Sequence, residues 1–172
     1  MIWLIPILLL IVVLMHEFGH FIVAKLQRLP VDKFGFSLKP LPHFYVSIIE
    51  NNITMRQRIL FLLGGNLMVL LLFTCFLLSG FDHRYIYYIL VYQILIDTNP
   101  FYSDYVVIIV SFLYRKLFRA SYYTRSRKEN QELNINEIKD RYMFSPVWYL
   151  HCILWGILAI LLISPKFFNN YL

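Results

Sequence analysis

The sequence predicts an all-α membrane protein with about four transmembrane helices and a small membrane-associated β segment after the first helix. Hydrophobic residues make up 59% of the 172 residues, and the mean hydropathy is +0.61. A helix that crosses a bilayer needs about 20 mostly apolar residues. Four stretches meet this requirement, at residues 2–26, 59–79, 85–114 and 144–164. This composition excludes an ordinary soluble domain.

The first apolar stretch is expected to remain in the protein as a transmembrane span. No basic residue precedes it, no small-residue cleavage site follows its apolar core, and charged residues lie near its far end. These features do not suit a secretory signal peptide.

The segment after the first span, LPVDKFGFSLKPLPHFYVSIIENNIT, is predicted to form short strands at the membrane surface. Pro30, Pro40 and Pro42 exclude a continuous helix. Its apolar residues alternate in two short runs, which is typical of a hairpin. The alternating residues are Val31, Phe34, Phe36, Phe44, Val46 and Ile48.

The second span contains two adjacent glycines followed by a polar amide. Gly64 and Gly65 allow a neighbouring backbone to come close. Asn66 is expected to face the interior of the bundle, where it could bond another helix or a substrate backbone. The residues alone leave both roles open.

The third span is predicted to be interrupted. It extends over about 30 residues, more than one straight crossing needs. Asp97, Thr98, Asn99 and Pro100 break the helical pattern, because proline lacks a backbone donor and disfavours helix in the residue before it. Unwound backbone at membrane depth must be buried in protein or line a wet cavity. We therefore expect a polar chamber at this break.

Charge predicts the orientation of the chain. The loops after the first and third spans are rich in Lys and Arg, whereas the second loop holds only Arg84. By the positive-inside rule, the two basic loops are cytoplasmic and both termini lie outside the cell membrane. The net charge of +6 then reflects topology and attraction to anionic lipids, and no nucleic-acid partner is expected. A short helix is expected within the third loop, near residues 131–142. The remaining histidines, His43, His83 and His151, are interpreted as loop or interfacial residues.

Residues 16–20 read HEFGH and match the H-E-x-x-H pattern. Side chains four positions apart share one helix face, so His16 and His20 can present both imidazoles to one ion. Two imidazoles and a carboxylate form the ligand set of catalytic zinc, which activates water and polarises a carbonyl. Glu17 is then the general base. A pair of structural histidines, or a proton or metal-ion pathway, would use the same residue types and is kept as an alternative.

Two aspartates within the third span are candidates for the third ligand. With a rise of 1.5 Å per residue, His16 and His20 lie roughly 20 to 28 Å from the outer end of the first span. Asp104 lies at a similar depth of roughly 28 Å along the third crossing, and Asp97 lies at roughly 18 Å. Depth therefore favours Asp104 and places the site toward the cytoplasmic side.

Four segments occur in the order found in a known family. They are HEFGH, LPVDKFGFSLKP, RQRILFLLGGNLMVLLL and NPFYSDY. Together they resemble the site-2 protease family of intramembrane zinc metalloproteases, over residues 1 to about 117. The resemblance departs from the family pattern where Asn66 directly follows Gly65 and where Tyr105 replaces the glycine usual after the aspartate.

The resemblance implies zinc as the cofactor, with His16, His20 and Asp104 as its ligands and Glu17 as general acid and base. It implies that Asn66 and Asn99 hold the substrate backbone. The metalloprotease core would cover residues 1–118, followed by a charged cytoplasmic loop at 119–143 and an additional span with a short tail at 144–172.

The expected activity is hydrolysis of peptide bonds in membrane-embedded or membrane-associated peptides, and the expected partners are such a peptide or protein and the lipid bilayer. The alternative is a non-enzymatic transporter or peptide-binding protein that uses the same buried histidines and aspartates. A transporter would give metal or proton flux without a cleaved product.

Overall fold

The computed structural model describes residues 4–37, 43–48, 53–80, 83–113 and 142–164. It is mostly helical, with one two-stranded sheet. In chain order the elements are α1 (Leu4–Leu26), β1 (Val31–Ser37), β2 (His43–Ile48), α2 (Met55–Ser79), α3 (Arg84–Asp97), α4 (Asp104–Leu113) and α5 (Pro146–Ile163). The predicted charged loop and its short helix lie outside the described residues, apart from their last positions, Tyr142 and Met143.

Three helices, α1, α2 and α5, are long and apolar enough to cross a membrane. The predicted third crossing is divided into α3, with 14 residues, and α4, with 10. Residues 98–103 separate them as non-helical chain, which confirms the predicted interruption at Pro100. The prediction of about four transmembrane helices is therefore supported for three of them.

Helices α1 and α2 pack with their backbones in contact. A Cβ atom on Gly19 would overlap the carbonyl oxygen of Gly64, and one on Gly64 would lie 2.8 Å from the carbonyl oxygen of Gly19. Small residues permit such close packing between helices in a membrane. The close approach predicted at Gly64 is confirmed, and Gly19 is its partner.

The core between α1, α2 and α3 is apolar. It is built from buried side chains of all three helices, among them Val12, Val69, Phe73, Tyr87 and Ile94. Helix α2 begins with a capping box in which Thr54 and Gln57 satisfy each other's backbone amides, and it ends at Gly80 with φ 65°. These capping residues define the two ends of α2, which packs against α1.

The two strands form an antiparallel hairpin, with Phe34 opposite Val46 and Phe36 opposite Phe44. This confirms the predicted β segment. Val46 of the sheet packs against a small core formed by Ala24 and Phe61. The sheet therefore lies against the C-terminal end of α1 and the N-terminal part of α2, close to the part of α1 that carries the histidines.

Helix α5 packs against α3 and presents an apolar face outward. The Tyr87 hydroxyl donates to the carbonyl oxygen of Leu162 at 2.7 Å, and Ser145 caps the first turn by accepting from the amide of Trp148. The exposed apolar residues of α5 include Ile153, Leu154, Ile157, Ile160 and Leu161. An outward face of this kind suits contact with lipid.

Candidate metal centre

Helix α1 presents two imidazoles on one buried face. His16 and His20 are both buried, and their Nε2 atoms lie 3.1 Å apart. The four-residue spacing places them one above the other. Both rings therefore lie on the same face of α1, and binding of one ion by both stays a prediction.

Asp104, the first residue of α4, brings a carboxylate to the same point. Its Oδ2 atom lies 3.1 Å from Nε2 of His20 and 3.7 Å from Nε2 of His16. The Asp104 side chain is 25% exposed, against 11% and 7% for the two histidines. The cluster is therefore closed on the α1 side and more open on the α4 side. The non-helical residues 98–103 redirect the chain so that Asp104 can reach α1.

The far ring nitrogens of both histidines are bonded to acceptors. His20 Nδ1 lies 2.7 Å from the carbonyl oxygen of Phe61, and His16 Nδ1 lies 3.0 Å from Oδ2 of Asp97. Gln93 donates from Nε2 to the other Asp97 oxygen at 2.7 Å. Because a carbonyl oxygen only accepts, His20 carries its hydrogen on Nδ1, and the Asp97 carboxylate holds His16 in the same form.

This tautomer leaves a lone pair on each Nε2 atom. Both lone pairs and the Asp104 carboxylate then converge within 3.1 to 3.7 Å. Three converging acceptors in a buried place repel one another unless a proton or a metal cation lies between them.

The spacing of these acceptors fits zinc. Four ligands around Zn²⁺ at about 2.0–2.1 Å lie roughly 3.3–3.4 Å from one another in a tetrahedron. The measured separations of 3.1, 3.1 and 3.7 Å bracket this value. Histidine ligands commonly donate their second ring N–H to a carboxylate or carbonyl, as His16 and His20 do here.

Gly65 of α2 forms one wall of the cluster. A Cβ atom at this position would lie 2.5 Å from Nε2 of His16 and 2.6 Å from Nε2 of His20. Any side chain at position 65 would therefore occupy the space in front of both donor atoms.

Glu17 lies beside the cluster and does not belong to the group of converging donor atoms. It is half-buried, lies close enough to His16, His20 and Asp104 to interact with them electrostatically, and accepts a backbone hydrogen bond from Val46 of β2. The strand therefore holds the carboxylate at the edge of the site.

Residues 4–127 match the model of peptidase family M50. The chain belongs to this family. M50 is the site-2 protease family that the sequence motifs resemble. The match covers α1 to α4, and so includes all the residues of the cluster, but it ends before α5.

Membership in M50 implies a protease, of the metallo type by family, and the apolar helices agree with a membrane protein. No curated protein and no solved structure shows significant similarity to the chain. The chemistry of the site must therefore be inferred from the residues of this M50 member itself.

The two asparagines predicted to hold substrate have different surroundings. Asn66 is buried, and its Nδ2 atom has no hydrogen-bond partner within the described residues. Asn99 instead organises the break: its Oδ1 atom accepts from the amides of Phe101 and Tyr102 at 2.9 and 2.8 Å, and its Nδ2 atom donates to the carbonyl oxygen of Ile96. Substrate binding by both residues stays a prediction.

Two roles in this region were not found from the sequence. Asp97, considered there as a possible ligand, contacts the outer nitrogen of His16 and is held by Gln93. The four-residue spacing of Gln93 and Asp97 in an apolar helix was the available signal. The interpretation of His151 as a loop residue is wrong, because it lies within α5, where its ring bonds the carbonyl oxygen of Thr98.

Proposed function

We propose that this M50 member is an intramembrane zinc metalloprotease that cleaves peptide bonds in membrane-embedded or membrane-associated peptides. The observation that carries the proposal is the convergence of Nε2 of His16, Nε2 of His20 and Oδ2 of Asp104. These three atoms would hold the metal, and Asp97 and the Phe61 carbonyl would keep the two rings oriented.

When bound, zinc supplies a Lewis acid that polarises the scissile carbonyl and makes water more acidic. Glu17 would accept the proton of the attacking water and then deliver it to the nitrogen of the departing amine. The backbone amide of Val46 holds the Glu17 carboxylate next to the cluster. A carboxylate fixed in this way loses less conformational freedom when it reaches the reacting atoms.

The position of the site supports a substrate that lies in the membrane. The two histidines belong to α1, which is long and apolar enough to span a bilayer. The carbonyls of a helical substrate are occupied by backbone bonds, so the segment to be cleaved must unwind locally. An unwound segment could pair as an added strand beside the hairpin, whose Val46 amide faces Glu17.

Orientation is part of the proposal. Both termini would lie outside the cell membrane, with the site toward the cytoplasmic side, as the distribution of basic loops predicts. The peptide substrate would then be cleaved near the inner leaflet.

The test compares Glu17→Gln with Asp32→Asn, using full-length protein in detergent and a panel of single-span peptides. Glu17→Gln keeps the shape of the side chain but removes the base, so cleavage should be lost while zinc content stays at the wild-type level. Asp32 lies on β1 and is exposed, so Asp32→Asn should retain both. Continued cleavage by Glu17→Gln would contradict the mechanism. Metal flux without any cleaved peptide in the wild type would favour the transporter alternative.

A further inference from the structure

Helix α5 donates two side-chain hydrogen bonds to the end of α3. Nε1 of Trp155 donates to the carbonyl oxygen of Leu95 at 2.9 Å. Nε2 of His151 lies 2.9 Å from the carbonyl oxygen of Thr98. His151 and Trp155 are four residues apart and therefore share one face of α5.

The break in the third crossing deprives both carbonyls of their helical partners. In a continuous helix, Leu95 would accept from the amide of Asn99, and Thr98 from the amide of Tyr102. Here the Asn99 amide bonds the carbonyl of Ile96 instead, and the Tyr102 amide bonds the Asn99 side chain. Carbonyls without a donor are costly at membrane depth, and α5 supplies the missing donors.

Tyr142 fixes the form of the His151 ring. A carbonyl oxygen only accepts, so His151 carries its hydrogen on Nε2, and Nδ1 of the neutral ring accepts from the Tyr142 hydroxyl at 2.7 Å. Tyr142 is fully buried, and burial raises the pKa of its hydroxyl to about 12. The hydroxyl therefore keeps the hydrogen that it donates.

The break held by α5 connects both aspartates of the site. Asp97 is the last residue of α3 and Asp104 is the first residue of α4. We propose that His151 and Trp155 form an α5 clamp that positions Asp97 and Asp104 for metal binding. This inference rests on the proposed function, and it assigns a role to a helix that lies beyond the residues matched by the M50 family.

The test compares Trp155→Phe with Tyr149→Phe in the full-length protein. Both changes remove the polar hydrogen of an aromatic side chain on α5, but the Tyr149 side chain is exposed. Hydrogen exchange of the amides at 99 and 101–104, measured without metal, reports on the break, and competition with a chelator reports zinc affinity. From the usual strength of such bonds in membranes, Trp155→Phe should speed exchange and weaken zinc binding by about 3- to 15-fold. Tyr149→Phe should stay within about twofold of wild type.

A second pair of variants tests the other bond of the clamp. His151→Leu removes the donor to Thr98, whereas His151→Gln keeps an N–H donor at a similar position. The leucine variant should behave like Trp155→Phe, and the glutamine variant should recover most of the zinc affinity. Recovery by glutamine would support a positioning role, because general loss of packing would affect both variants.

The outcomes separate the clamp from the proposed function. Equal exchange and zinc affinity in Trp155→Phe and Tyr149→Phe would overturn the clamp. Faster exchange that spreads equally through α1 and α2 would also overturn it, because that result indicates general destabilisation. If the wild-type protein binds no zinc, faster exchange confined to 99–104 would support the positioning of the break by α5 but refute the proposed function.

Discussion

His16 and Asp97, which lie 81 residues apart in the sequence, are joined by a 3.0 Å contact between Nδ1 and Oδ2. The Nε2 atom of the same ring faces Asp104. Asp97 therefore holds the His16 ring through Nδ1, and Asp104 lies next to Nε2 of the same ring. This arrangement gives the two carboxylates different expected effects on metal binding.

Replacing each aspartate by asparagine should reveal this difference. Asp104→Asn removes a direct charged ligand, so we expect zinc to be lost at the concentrations that saturate the wild type. Asp97→Asn keeps an acceptor for His16 but removes the charge, and loss of such supporting contacts typically weakens metal affinity by about 10- to 100-fold. Chelator competition at constant pH measures both values. A stronger effect of Asp97→Asn than of Asp104→Asn would reverse the assignment.

Gly65→Ala should prevent metal binding. The added methyl group would lie 2.5 to 2.6 Å from the Nε2 atoms of both histidines, where it occupies the space in front of the donor atoms. The measurement is zinc content of the purified protein. Gly156→Ala is the matched control, because a Cβ atom at Gly156 meets nothing within 4 Å; it should bind zinc like the wild type.

Gly64→Ala should lower stability. Its Cβ atom would lie 2.8 Å from the backbone carbonyl oxygen of Gly19, so α1 and α2 must separate. Overpacking of this kind typically costs about 1–3 kcal/mol in the free energy of unfolding. Unfolding in detergent micelles, followed by circular dichroism, measures the change against Gly156→Ala. Unchanged stability would mean that the two helices are not in backbone contact.

Zinc removal should lower the melting temperature. A ligand that binds only the folded state at 100 times its dissociation constant stabilises it by about 2.7 kcal/mol. Thermal unfolding with and without a chelator should therefore differ in the wild type but not in His20→Ala, which lacks one donor. A chelator effect of equal size in His20→Ala would place the metal elsewhere.

The two asparagines should respond differently to substitution by alanine. Asn66→Ala removes a buried amide whose Nδ2 atom has no partner within the described residues, so zinc affinity should stay constant while peptide cleavage falls. Asn99→Ala removes the acceptor of two loop amides, so zinc affinity should fall together with cleavage. Equal loss of zinc affinity in both variants would contradict a substrate role for Asn66.

The sequence was most informative where a local pattern has one physical interpretation. HEFGH within an apolar stretch placed His16 and His20 on one helix face, and Pro100 predicted the interruption of the third crossing. The alternation of apolar residues predicted β1 and β2. Each of these depends on neighbours within a few residues, which periodicity can detect.

Contacts between distant segments were only partly accessible. Depth along the helices favoured Asp104 over Asp97 as a ligand, and Asp104 lies next to Nε2 of both histidines. The position of Asp97 behind His16 could not be derived in this way, because rise along a helix axis gives depth but not the direction in which a side chain points.

The local sequence alone thus determined a helical membrane protein with a histidine pair on its first span and a broken third crossing. Only the tertiary structure decided that Asp104 faces the Nε2 atoms of the two histidines and that Asp97 bonds Nδ1 of His16. It also decided how His151 and Trp155 of α5 bond the broken helix. These relationships arise from packing of helices that are far apart in the chain. Every polar group at membrane depth needs a hydrogen-bond partner, but no local sequence pattern shows which distant residue supplies it.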